Sequence, residues 1–245
     1  MARLPCIGRR AFSCGARLSI AVTSKTDLAM TGLMANPDQE LEAALSDAKT
    51  AEQRVRPLQK YYDACESFLE PFNAQLACKN GCYICCHIPV KAQSHEIFAL
   101  AEFIEKRFSE AQREALLMRL REHVKVSSAM TEKERLGTNL VCPMLVDGSC
   151  SIHPARPFAC RRYHSLDVKA CEYSYENPQD LKASRPRNPV LENRWQELAV
   201  LANKAYQNTG HKSEPVELTR ALLNALDNPK CRKRWSKGNS AMLDQ

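Results

Sequence analysis

Four of the chain's twelve cysteines fall within nine residues, in the order Cys78-Lys-Asn-Gly-Cys82-Tyr-Ile-Cys85-Cys86. This C-x3-C-x2-C-C string constrains the fold more than any other feature. Four thiols so close in sequence converge on one point, or nearly so, with little loop-closure cost. Gly81 allows the tight turn this needs. A second group follows at Cys142, Cys150, Cys160 and Cys171, with Asp147-Gly148 as a turn signal before Cys150.

Disulfides are the competing use of so many cysteines. Twelve in 245 residues is about 5%, below the density of a short secreted disulfide scaffold. Residues 1–30 carry arginines but no apolar stretch of the secretory kind. The cysteines are therefore read as thiols available for metal, and the chain as cytoplasmic. Residues 1–35 are expected to be a basic, disordered extension. Their alternatives are translated sequence ahead of a start at Met30 or Met34, or a targeting segment that would place the chain in an organelle. No run is apolar enough to span a bilayer, so no membrane partner is expected.

The net charge of +7 does not point to nucleic acid once it is located. Ten of the 35 basic side chains sit in two acid-free runs, residues 1–26 and 230–237. The remaining 25 face 28 acids, so the body is nearly neutral. Residues 229–245 are expected to form a basic tail.

Between the ends the periodicity is helical. Leu41, Leu45, Val55, Leu58, Tyr62, Cys65 and Leu69 predict helix from Asp38 to Leu69, with Pro57 as a kink or break. Ser94 leads a second stripe through Phe108. Ser109 and Gln112 form a capping box opening a third helix, and the two are expected to pair as a hairpin. Further helices are predicted over 190–207 and 214–226, the latter led by Ser213 and Pro215. Residues 138–186 read as loops, with at most a short strand near 140–146. The expected fold is mainly α, with helices around a loop-built, cysteine-rich metal site, in a domain over 36–228 whose metal-binding core covers about 75–165.

The two cysteine groups together resemble the YkgJ-type cysteine-cluster family. Its pattern continues past C-x3-C-x2-C-C into C-P-x-L, matched by Cys142-Pro143-Met144-Leu145, and then G-x-C-x-I, matched by Gly148-Ser149-Cys150-Ser151-Ile152. Arg156-Pro157 and Cys160-Arg161 complete it. The resemblance implies metal chelation by Cys78, Cys82, Cys85, Cys86, Cys142, Cys150 and Cys160. His153, His164 and Cys171 stand in reserve. Two cofactors fit such thiols: an iron–sulfur cluster such as [4Fe-4S], favoured by the spacing, or zinc. Neighbouring side chains ordinarily diverge, so Cys85 and Cys86 are not expected to reach one small ion together. Four thiolates leave a net charge of about −2 on either metal centre, which Arg156 and Arg161 could offset through hydrogen bonds to sulfur or carbonyls.

The same residues bear on other functions. Cys78, Cys82 and Cys85 reproduce the spacing of radical S-adenosylmethionine enzymes, but the strand–helix repeats of that fold do not follow. A flagellin lysine methylase resembles the cysteine domain, yet no G-x-G-x-x-G pattern is present. Lys230 to Lys237 with Trp235 could meet a nucleic acid, but no zinc-finger spacing accompanies them. Cys86-His87 and Cys160 with His164 place thiols near imidazoles without establishing a nucleophile. No reaction is assigned by these patterns, and the leading expectation is a metal-chelating protein.

Overall fold

Thr50 divides the N-terminal helical run. In the computed structural model, which describes residues 37–79, 81–241 and 243, this run forms α1 (Pro37–Ser46) and α2 (Ala51–Leu69). Thr50 Oγ1 accepts from the Gln53 amide and Gln53 Oε1 accepts from the Thr50 amide, both at 3.1 Å. This reciprocal cap restarts the helix. The break therefore lies at residues 47–50, and Pro57 is accommodated inside α2.

Strand β1 (Lys91–Gln93) leads into α3 (Ser94–Arg107), capped by Gln93 and Glu96. Ser109 and Gln112 cap α4 (Glu110–Ser128) as expected. These helices do not form a hairpin with a long mutual face; both pack on α9 (Leu218–Asp227). Residues 215–217, predicted as the start of that last helix, are strand β4 (Pro215–Glu217), antiparallel to β1 with Ala92 opposite Val216. Glu217 supplies the cap instead, accepting from the amides of Thr219 at 3.1 Å and Arg220 at 2.8 Å.

Short elements carry the intervening chain: α5 (Glu132–Leu136), the hairpin of β2 (Leu145–Val146) and β3 (Ser149–Cys150), α6 (Phe158–Arg162) and α7 (Val168–Glu176). The long α8 (Pro189–Asn208) then packs against α1 and α6. The fold is mainly α with two small two-stranded sheets. Its core joins Leu58, Ile97, Phe98, Leu116, Tyr206 and Leu222. No helix of the described residues is long and apolar enough to cross a membrane.

The run expected as a basic tail is corrected. It contains α10 (Pro229–Trp235), in which Cys231 and Trp235 are buried. Proline at its first turn and the Asn228 side chain on the Lys230 amide start this helix, and the Trp235 ring anchors it. The proposed extension, residues 1–35, lies outside the described residues.

Candidate metal centre

The first cysteine string turns twice. Gly81 takes φ +81°, which only glycine adopts freely, and the Cys82 amide donates to Lys79 O at 3.0 Å. A 3-10 turn over Ile84–His87 follows, with the Cys86 amide on Tyr83 O at 2.8 Å and Cys86 itself off-helical at ψ 23°. The Cys85 and Cys86 thiols are neighbours that act on each other's ionisation.

The second string is tied to the first by main chain: the Cys142 amide donates to Cys86 O at 2.8 Å. Asp147 and Gly148, at φ 49° and 72°, then close the β2–β3 hairpin and set Cys150 opposite Leu145. Cys160 sits in α6, its amide on Pro157 O at 2.9 Å.

Five thiols from these segments share one electrostatic neighbourhood. The bond from Cys86, helped by the backbone at Cys85 and by the charges of Arg156 and Arg185, holds the Cys85 thiol down at about 7 against its burial. Cys86, the donor of that bond, is pushed up by it and by burial, with further contributions from Cys85, Cys142 and Cys150. Burial raises Cys142 to about 11, and Cys150 and Cys85 add to it. Cys160 is raised by burial and then by Cys142, Cys150 and Cys85. Cys78 belongs to a neighbouring group: burial raises it first, then Cys85, Cys82 and Cys171. Cys85 thus stands between the two groups. Among the described residues no three His, Cys, Asp or Glu side chains close around a point that would hold a single ion. The chemistry of these thiols suits a soft, thiolate-preferring metal.

Residues 77–180 match the family model described as a "putative zinc- or iron-chelating domain". The segment is thus similar to the cysteine-cluster family that the sequence pattern resembles. No curated protein and no solved structure gives a significant match to the chain.

Within the cysteine-cluster domain, the two arginines divide their work. Arg161 is buried, with its guanidinium 4.1 Å over the Tyr62 ring and its donors on Arg156 O at 2.7 Å, Pro154 O at 2.6 Å and Glu66. It fixes the turn ahead of Cys160 through carbonyls. Arg156 reaches Glu66 at 3.3 Å but leaves Nε buried without a partner. Its charge acts on Cys85, Cys150 and Cys160.

The histidines separate similarly. Both ring nitrogens of His164 are engaged: Nδ1 lies 2.8 Å from Arg162 O, and Nε2 accepts from the Asn188 amide at 2.9 Å. In this arrangement it links the chain after α6 to the start of α8. His153 is exposed at the rim of a cleft of about 400 Å³ that also borders Cys78 and Arg156. Cys171, on α7, lines a smaller cavity with Cys85 and Arg185. Arg185 and Glu66 were missed by sequence reasoning, since neither belongs to a spaced motif.

Proposed function

We propose that the cysteine-cluster domain binds a thiolate-ligated iron–sulfur cluster, with Cys85, Cys142, Cys150 and Cys160 as its ligands. The observation that carries this reading is the main-chain bond from the Cys142 amide to Cys86 O, which joins the first two cysteine segments, with the β2–β3 hairpin turning Cys150 back opposite Leu145. Zinc in a closed site takes four sulfurs at about 2.3 Å from one point. A cuboidal cluster is a larger body, and the C-x3-C-x2-C spacing with its surplus of cysteines supports it. Cys86 donates to Cys85, while Cys78, Cys82 and Cys171 form the outer group. A bound cluster would supply one-electron redox chemistry, and the chain's own half-buried thiols would hold it.

Protein purified without oxygen tests the reading by its iron, acid-labile sulfide and visible spectrum. About four iron and four sulfide per chain are expected. One colourless zinc per chain would replace the cluster with an ion, and absence of metal would overturn chelation altogether.

A further inference from the structure

Six buried side-chain nitrogen or oxygen atoms lack a hydrogen-bond partner among the described residues, and two of them flank the thiols: Nε of Arg156 and Nε of Arg185. Arg156 belongs to the cysteine pattern. Arg185 does not, because it lies beyond the matched segment, in the loop between α7 and α8. Its guanidinium stacks 3.6 Å over the Tyr163 ring. No carboxylate stands within ion-pair distance of it among the described residues. With Cys85, Cys171 and Tyr163 it bounds a cavity of about 40 Å³, the room of about one water.

A buried guanidinium nitrogen without an acceptor is costly unless something absent from the protein chain completes it. Arginine tolerates such a position because stacking on an aromatic ring holds its plane while the N–H groups remain free to donate. Its cavity holds the sulfurs of Cys85 and Cys171 beside the polar groups of Asn139, Ser174 and Tyr175, and of these the sulfurs are the ones that take a negative charge on binding metal. Thiolates on either candidate metal leave a net negative charge, and N–H donors to sulfur stabilise that charge and tune the metal.

We propose that Arg185 is a positioning residue of the metal centre, held by Tyr163 and donating Nε–H to metal-bound sulfur on the Cys85 side. This rests on the thiolate centre proposed above. It adds a residue from outside the family pattern to the machinery that sets the affinity and potential of the centre.

The test compares the metal-loaded full chain with Arg185→Gln and Arg185→Lys. Arg185→Gln is expected to fold and load metal, to lose it to a chelator about 10- to 100-fold more readily, and, with a cluster, to show a lower reduction potential, since the more negative reduced state loses its cation. Arg185→Lys, which keeps the charge but not the fork, is expected to restore the potential in part. A loaded Arg185→Gln protein with wild-type metal retention and potential overturns this inference and leaves the metal centre standing. A wild-type chain that takes up no metal overturns both. If Arg185→Gln does not fold, Arg185→Lys decides alone: metal retention equal to wild type overturns the inference, and weakened retention supports it.

Discussion

The amide of Cys142 donates to the carbonyl of Cys86 at 2.8 Å, joining the two cysteine strings by main chain. The bond needs no metal. It fixes the arrival of the second string against the first, so that Cys142 and Cys150 are held near Cys85 by backbone, and a metal need only close the last distances. A loop joined in this way loses less entropy on binding than one that the metal must gather unaided.

Replacing Cys150 or Cys160 with serine is therefore expected to lower metal content and thermal stability together, because metal binding and folding are linked. Metal at a hundred times its Kd stabilises by about 2.7 kcal/mol, which for a domain of this size is about 5 to 10 °C in Tm. Cys231 lies buried in α10, away from the strings, and Cys231→Ser should keep its full metal content. Elemental analysis beside a melting curve checks the set. Full loading of both Cys150→Ser and Cys160→Ser would remove these thiols from the ligand set.

Glu96 links the core to the helix that carries Cys160. Its Oε1 accepts from Tyr62 OH at 2.8 Å and from the Phe158 amide at 2.7 Å, and its Oε2 from the Gln93 amide at 2.8 Å. A glutamine keeps only one acceptor oxygen and turns its NH2 against a donor. Glu96→Gln is expected to cost about 1–3 kcal/mol, read as a lower urea midpoint at unchanged slope. Because Phe158 opens α6, faster metal release should accompany the loss. An unchanged midpoint would mean that the carboxylate is dispensable.

His95 makes stability depend on pH. It is fully buried, stacks on Tyr206 at 4.0 Å, and has Nδ1 3.1 Å from Ser213 Oγ, with Nε2 unpartnered. Burial first, and then His211, lowers its pKa from 6.5 to about 3. The unfolded chain thus takes up a proton that the folded chain refuses. Its contribution is present above pH 6.5 and is lost as pH falls towards about 3, an effect of up to a few kcal/mol. His123 and His211, also lowered by burial, act in the same sense. His95→Phe retains a ring against Tyr206 and should flatten the decline between pH 6.5 and 4 relative to wild type. Parallel unfolding curves for the two proteins across that range would show that His95 does not carry it.

What could be read from sequence was local. Ser109 and Gln112 sit three residues apart and formed the cap that their spacing implies. Thr50 and Gln53 carry the same signature, but Pro57 drew the expected break towards itself. The pairing of Ala92 with Val216 joins residues far apart in the chain, and no local pattern announces it. At the site, spacing identified the cysteines and the family. It did not reveal that the Cys142 amide bonds to Cys86 O, because that contact depends on the path of the chain between the two strings rather than on residue type. Arg185 was hidden for a like reason: its neighbours are set by the path of a loop through residues 177–188, which no periodicity describes.

Trp235 separates a folded C-terminal helix from a free basic end. Its ring is fully buried, 5.0 Å from Phe98, 5.2 Å from His211 and 6.0 Å from Tyr206, and its Nε1 donates to Lys212 O at 3.0 Å. A ring so placed is not available to stack on a base. Trp235→Ala is expected to cost about 3–5 kcal/mol, through a large cavity and an unpaired Lys212 carbonyl. Urea unfolding of the variant measures it. The nearby cations are partly engaged as well: Arg232 pairs with Glu105 at 2.9 Å, holding α10 against α3. Charge reversal by Arg232→Glu should accordingly destabilise by about 1 kcal/mol or less, as an exposed pair does, so the ring rather than the charge is the anchor. A Trp235→Ala protein as stable as wild type would return these residues to a solvated tail.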